Sequence, residues 1–185
     1  MGAIFDPHVL HRTAAAHVGR PIEEIIPALV EDLRARYPGH IAGPDRWVLN
    51  NAGGAMGAMA ILHASITEYV ILFGTPIGTE GHSGRFSSDD YFIILDGEQR
   101  AFAPGSLEPE IYRPGDMHHL PRGVAKAYRI PDRCWALEYA RGNIPKMLPF
   151  GLADAFSSTL DVRTVWDTLR VYARAATREL LRGKV

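Results

Sequence analysis

Apolar and polar residues alternate along this chain in two different rhythms. Near the start, Asp6 followed by Pro7 predicts a helix opening, with a side-chain cap and then a proline whose missing N–H costs nothing there. Ile26, Leu29, Val30, Leu33 and Tyr37 then recur at helical spacing until "YPGH" ends the run, and Pro27 is expected in that helix's first turn. From Trp47 to Arg141 the rhythm shortens. Runs rich in Val, Ile, Tyr and Phe are broken by "LDGE", "APGSLEPE", "RPGD", "LPRG" and "IPDR", which is the punctuation of an antiparallel barrel or sandwich. After Pro145 the helical period returns. Residues 147–156 are apolar nearly all round, and Val162, Val165, Trp166, Leu169, Tyr172, Ala173, Ala176 and Leu180 make one face of a longer helix. The order is therefore helices over 1–45, a barrel over 46–142 and a helical lid over 143–185, in one domain.

Bulk composition excludes more than it assigns. A chain of 185 residues suits one domain with a sizeable core. A formal charge of −1 argues against a nucleic-acid partner. The single cysteine, Cys134, excludes an internal disulfide framework and a cysteine cluster for zinc. The apolar stretches 52–62 and 69–78 fall short of the roughly 18 residues a spanning helix needs. No signal peptide or myristoylation motif is visible at the start. The expectation is a peripheral or cytoplasmic chain.

The segments "GHSGRFSSDDYFIILDGEQRAF" and "YRPGDMHHLPRGVAKAY" resemble the two motifs of the cupin barrel. Asp90 stands seven residues before Gly97, and Pro114-Gly115-Asp116 and Pro121-Arg122-Gly123 follow, but the metal-binding histidine slot holds Lys126. An ammonium is no metal ligand, so no metal is expected. His118 and His119 are adjacent, so only one can face the lumen, and both are read as turn or surface residues.

One residue in "CWALEYARG" breaks an apolar run. Alternation places Cys134, Ala136, Glu138 and Ala140 on one strand face, and Trp135, Leu137 and Tyr139 on the other, outside the barrel wall. The small neighbours of Glu138 suggest open space above it. Its carboxyl either stays protonated through desolvation or stays ionised beside a partner. That partner is Arg141, Lys126 or a tyrosine hydroxyl in a structural role; in a functional role Glu138 is a poised acid or a counter-ion, with Tyr69 and Asp90 as companions.

Longer blocks are more specific. "WVLNNAGGAMGAMAILHASITEYVILFGTPIGTEGHSGR", "WALEYARGNIPKMLPFGLADAFSSTLD" and the early "FDP" resemble the family of fungal sterol delta-8/delta-7 isomerases and the sigma-1 receptor, from about Phe5 to about Leu181. The resemblance implies a cupin-like barrel closed by two C-terminal helices, with an elongated greasy cavity inside. It implies a sterol or lipophilic amine as ligand, no cofactor and a homo-oligomer, a trimer by analogy. The family's essential glutamate falls on Glu138 and its partner tyrosine on Tyr69. The receptor's second acid falls on Phe92, whereas "DDYF" (89–92) matches the isomerases and puts Asp90 on the same strand face. The catalytic set implied is Glu138, Asp90 and Tyr69, and the ligand-binding set adds Phe92, Asp89 and His63.

The isomerase is thus the leading expectation, with an amine- or sterol-binding protein without turnover as the alternative and a metal-dependent cupin enzyme third. His63 is read either as a base reaching the lumen or as a buried histidine satisfied by backbone. The glycines of "NNAGGAMG" are read as close packing or a subunit contact, not a phosphate loop. The C-terminal helices, with Arg163, Arg170, Arg174, Arg178 and Arg182 on one face, either meet a membrane surface or present a solvated basic face. The resemblance implies association with the endoplasmic reticulum membrane, as in eukaryotic members of the family, and no membrane-spanning helix is expected within these residues.

Overall fold

Asp6 caps the first helix as its sequence suggests: its carboxylate accepts from the His8 and Val9 amides, each at 2.9 Å, and α1 runs Pro7–Ala15. The computed structural model describes residues 2–44 and 46–184. Helix α2 spans Ile22–Arg36 and starts earlier than expected, so Pro27 lies inside it and not in its first turn. Pro27 is exposed, and the carbonyl it leaves without a helical donor belongs to exposed Glu23, which water can serve.

Among the described residues ten strands follow, paired antiparallel in two sheets. The larger sheet has the order β1 (Val48–Ala52), β2 (Ala55–Ala64), β3 (Glu68–Thr75), β10 (Cys134–Arg141), β5 (Asp89–Gly97) and β8 (Met117–Leu120). The smaller has the order β4 (Thr79–His82), β9 (Ala127–Ile130), β6 (Gln99–Phe102) and β7 (Glu110–Tyr112). A two-residue hairpin joins β1 to β2, with Gly53 at φ +63° and Gly54 at φ +86°. A Cβ on Gly53 would lie 2.3 Å from the His82 carbonyl oxygen, so close packing explains the glycine.

The pleat sorts the larger sheet into two faces. Leu62, Val70, Leu72, Ile93, Leu95, Leu137 and Tyr139 pack outward against Phe5, Leu10, Ile25, Leu29 and Leu33 of the N-terminal segment. Met59, Ile71, Phe73, Phe92, Ile94 and Ala136 face inward and form a separate cluster with Val48 and Ile130. Two clusters on opposite faces mean that the inner face encloses something other than the main core. Tyr139 packs outside, as alternation implies, while Trp135 meets Trp47 edge-on at 5.5 Å.

Helices α3 (Leu148–Ser157) and α4 (Val162–Leu181) close the open end. In α4 the apolar face read from the sequence is largely uncovered: Val162 is 67% and Trp166 65% exposed. Thr168, Ala176 and Glu179 are the buried positions, and of these Ala176 belongs to the face read from the sequence. Among the described residues, no helix is long and apolar enough to cross a membrane.

Candidate functional site: a buried carboxyl pair in the barrel lumen

The cavity between the two sheets is built from adjacent rows of the larger one. Glu138 on β10 pairs with Ile71 of β3 on one side and Phe92 of β5 on the other. One inward step along the strands, Ala140 pairs with Tyr69 and Asp90. Side chains two residues apart share a face, so Tyr69, Asp90, Phe92 and Glu138 all point into the lumen. Each lines the cavity. Ala140 offers only a methyl between Tyr69 and Asp90, which leaves room for the phenol to reach diagonally. The Tyr69 hydroxyl donates to Glu138 Oε1. Of the partners open to Glu138 on sequence grounds, the tyrosine hydroxyl is the one in place; Lys126 pairs with Glu110 at 2.5 Å instead.

Burial controls the charge of this pair. Glu138 is pushed up to about 7, chiefly by desolvation, with the Tyr69 hydroxyl bond pulling it partly back. Asp90 is raised well above the usual carboxylate range, by desolvation first and then by the neighbouring charge of Glu138. Asp90 Oδ1 is buried without a hydrogen-bond partner among the described residues. Two carboxyls with no cation between them cannot both ionise cheaply in an apolar lumen. The pair therefore holds a proton near neutral pH. The Tyr69 hydroxyl favours the ionised form of Glu138, and a backbone hydrogen bond at Tyr91 acts in the same sense on Asp90.

Glu68 provides a contrast on the same sheet. It is also fully buried, but it faces outward and is fully partnered: Lys184 Nζ lies 2.9 Å away, the Ile4 amide 2.8 Å and the Tyr139 hydroxyl 2.9 Å. Burial acts to raise its pKa, and these partners together bring it below the ordinary value. One buried glutamate is thus a structural clamp between both ends of the chain, and the other is left poised.

Asp89 and His63 do not join the lumen. Asp89 precedes Asp90 and points outward, where Arg122 Nη2 at 2.6 Å and His119 Nε2 at 3.5 Å take its carboxylate. His63 would face inward by strict alternation from Ile61. A bulge intervenes: Ile61 pairs with Ile71 but His63 pairs with Val70, an outward residue. His63 is fully buried outside the wall, edge-on to Phe5, with Nδ1 bonded to the His40 carbonyl at 2.9 Å. The backbone-satisfied reading holds for that nitrogen. Donor atoms of His40, His63 and Glu179 lie within 4.8 Å of one another. The Glu179 carboxylate, however, is held by His40 at 2.7 Å, Arg182 at 3.2 Å and Arg178 at 3.3 Å. Two guanidinium groups there oppose a metal dication and make the cluster a docking point for α4.

Four lumen residues, His118, Tyr128, Thr168 and Tyr172, carry no clear signal in the sequence. His118 is buried and pairs with Phe92, so it faces the cavity rather than the surface. His119 is the outward member of the two, stacked on Tyr91 at 4.4 Å. Tyr128 lines the cavity near the acid pair, whose charges help raise its pKa after desolvation. Its signal was the alternation Lys126, Tyr128, Ile130. Thr168 and Tyr172 reach the cavity from α4, and the Tyr172 hydroxyl donates to the Ser65 carbonyl at 3.0 Å.

Comparison with known proteins settles the family. A family model described as "ERG2 and Sigma1 receptor like protein" matches residues 2–184. The chain belongs to this family. Within the ERG2 and Sigma1 receptor family it is 54% identical over 186 residues to the C-8 sterol isomerase erg2 of Aspergillus fumigatus, covering 98% of this chain and 77% of that one. It is 52% identical over 176 residues to the C-8 sterol isomerase ERG2 of Gibberella zeae, covering 95% and 75%. The sigma non-opioid intracellular receptor 1 of Gallus gallus is 43% identical over 173 residues, covering 92% and 78%. Among solved structures, an RmlC-like cupin from Shewanella frigidimarina aligns with a TM-score of 0.46 at 14% identity, over 56% of this chain and 90% of that one.

Proposed function

We propose that this family member isomerises a sterol, moving its double bond from carbons 8 and 9 to carbons 7 and 8. The observation that carries the reading is the Asp90–Glu138 pair, buried in the lumen with no cation among the described residues paired to either carboxyl. Asp90 in its acid form gives a proton to carbon 9, and the alkene's electron pair forms the new C–H bond. A cation remains at carbon 8. Glu138, ionised and held by Tyr69, lies close enough in the sheet to stabilise it, and the faces of Phe92 and Tyr128 add to this. Glu138 then takes a proton from carbon 7, and the freed electron pair becomes the new double bond. Glu138 releases that proton to solvent and Asp90 takes one up from solvent, completing a cycle that balances without an electron carrier. An acid of raised pKa is a weak donor, and the adjacent carboxylate compensates by lowering the energy of the cation.

The identity to proteins named C-8 sterol isomerases supports this reading over binding alone. The Gallus gallus relative favours a second one, a receptor for lipophilic amines or sterols without turnover. Incubation of purified protein with a delta-8 sterol separates them. Delta-7 product that disappears with Asp90→Asn and Glu138→Gln supports isomerisation; saturable amine binding without product supports the receptor.

In this proposal the chain works as one unit: helices of residues 1–45 brace the barrel of 46–142, and 143–185 form the lid. Asp45, beside the first boundary, lies outside the described residues. We read the exposed Phe156, Leu160, Val162 and Trp166 as resting on a membrane surface, the source of an apolar substrate. A homotrimer is the assembly expected from the family resemblance. Vesicle flotation and sizing by light scattering test these two points.

A further inference from the structure

The lumen has a second polar pole that the proton shift does not use. His118 on β8 is 5% exposed and Gln99 on β6 is 4% exposed, and His118 Nδ1 lies 2.9 Å from Gln99 Oε1. With that oxygen accepting, the ring hydrogen sits on Nδ1 and Nε2 keeps its lone pair. Lys126 Nζ lies 3.2 Å from that Nε2 and 2.5 Å from Glu110 Oε2. Tyr112 stacks on the imidazole at 4.4 Å and donates to Glu110 at 2.6 Å, fixing both. Burial, and next the Lys126 ammonium, hold His118 down to about 4, so the ring is neutral. Lys126 and Glu110 cancel in charge, so the cluster as a whole is neutral. His118, Gln99 and Lys126 all line the cavity.

We propose that His118 and Lys126 form a hydroxyl-binding subsite that takes the alcohol of a flat polycyclic substrate and thereby sets which carbons reach Asp90 and Glu138. The inference rests on the isomerase reading for the identity of that substrate. An alcohol both donates and accepts one hydrogen bond. An ammonium has three donors, of which Glu110 and His118 engage two, so one remains for an alcohol oxygen. The His118 Nε2 lone pair can accept the alcohol hydrogen in place of the long 3.2 Å contact. A neutral cluster with one donor and one acceptor suits an alcohol better than a carboxylate or phosphate.

The geometry also matches. Glu138, Phe92 and His118 are paired residues on three neighbouring strands. Two strand spacings put the acid and the imidazole about 10 Å apart along the wall. A sterol places its hydroxyl and its reacting double bond at opposite ends of two fused rings. Between the poles lies Phe92 of β5, with Phe73 of β3 edge-to-face against it at 6.0 Å, and the two rings supply an apolar surface beside the acid.

Equilibrium binding with three ligands tests the subsite: a 3-hydroxy delta-8 sterol, the same hydrocarbon lacking the oxygen, and a hydroxyl-free lipophilic amine. Wild type is expected to hold the hydroxylated sterol about tenfold tighter than its deoxy analogue. Lys126→Met is expected to erase that preference without weakening the amine, whose positive charge gains from the uncovered Glu110 carboxylate. Should Lys126→Met fold poorly, the Lys126→Met/Glu110→Gln variant removes both charges together, and the wild-type ligand comparison needs no variant. Equal affinity of wild type for both sterols, or equal weakening of all three ligands by the variant, overturns the subsite. A hydroxyl preference without turnover overturns the isomerase reading and leaves the subsite standing; turnover without the preference does the reverse.

Discussion

Replacing Glu138 by Gln is expected to make the protein more stable at neutral pH, even as it removes the chemistry proposed for the site. Gln keeps an oxygen for the Tyr69 hydroxyl and nearly the same shape, but carries no charge to desolvate. In the folded wild type the Glu138 carboxyl holds its proton up to about 7, against an ordinary 4.5. Between those values the folded state binds more protons than the unfolded state. Stability of the wild type therefore falls as pH rises from about 4.5 to about 7, and this contribution is flat above that range. That interval, at about 1.36 kcal/mol per pH unit, amounts to about 3 kcal/mol. In a chain of this size about 3 kcal/mol corresponds to a Tm difference on the order of 10 °C. Asp90 acts in the same direction, because loss of the Glu138 charge lets its own pKa relax. Urea unfolding of both proteins at pH 4.5 and pH 8 measures the effect. The gap between variant and wild type should widen toward pH 8 in favour of the variant. A gap that is constant with pH, or a variant less stable at pH 8, refutes the claim that Glu138 is buried without a compensating cation.

Three other outcomes follow from the same geometry. Tyr69→Phe removes the donor that pulls Glu138 down, so the rise of kcat/KM through about pH 7 should move to higher pH, with at least about a tenfold loss of rate at pH 7; an unmoved profile refutes this role. A lipophilic amine should bind more tightly as pH rises through about 7, because Glu138 becomes its counter-ion, and Glu138→Gln should abolish that dependence in titration calorimetry. Glu68→Ala leaves Lys184 buried without its carboxylate and should cost about 3–5 kcal/mol in chemical unfolding while leaving the lumen intact.

Much of the site was legible because the wall is a regular sheet. Period-two alternation over "CWALEYA" placed Glu138 inward with small neighbours, and the same rule placed Asp90 beside Phe92. It failed where the pleat fails: one bulge at Leu62 moved His63 from the lumen to the outer core. Long-range partners were also invisible. Glu68 read as an unremarked residue beside Tyr69, because Lys184 and Tyr139 lie far along the chain. Nothing local marks His118 as a lumen residue rather than a turn or surface one, because its partner Gln99 belongs to the other sheet. In α4, periodicity found an amphipathic helix correctly but not which side the barrel covers. Thr168 and Glu179 are buried by specific contacts, while Trp166 is left out.

In the proposed reaction the lumenal carboxyl pair transfers protons to and from a carbon skeleton. Incubation with a delta-8 sterol in deuterated water, followed by mass spectrometry, tests this most directly. Delta-7 product carrying one solvent deuterium at carbon 9 is expected from the wild type, and no labelled product from Asp90→Asn or Glu138→Gln. Unlabelled delta-7 product, or labelled product from both variants, would contradict it.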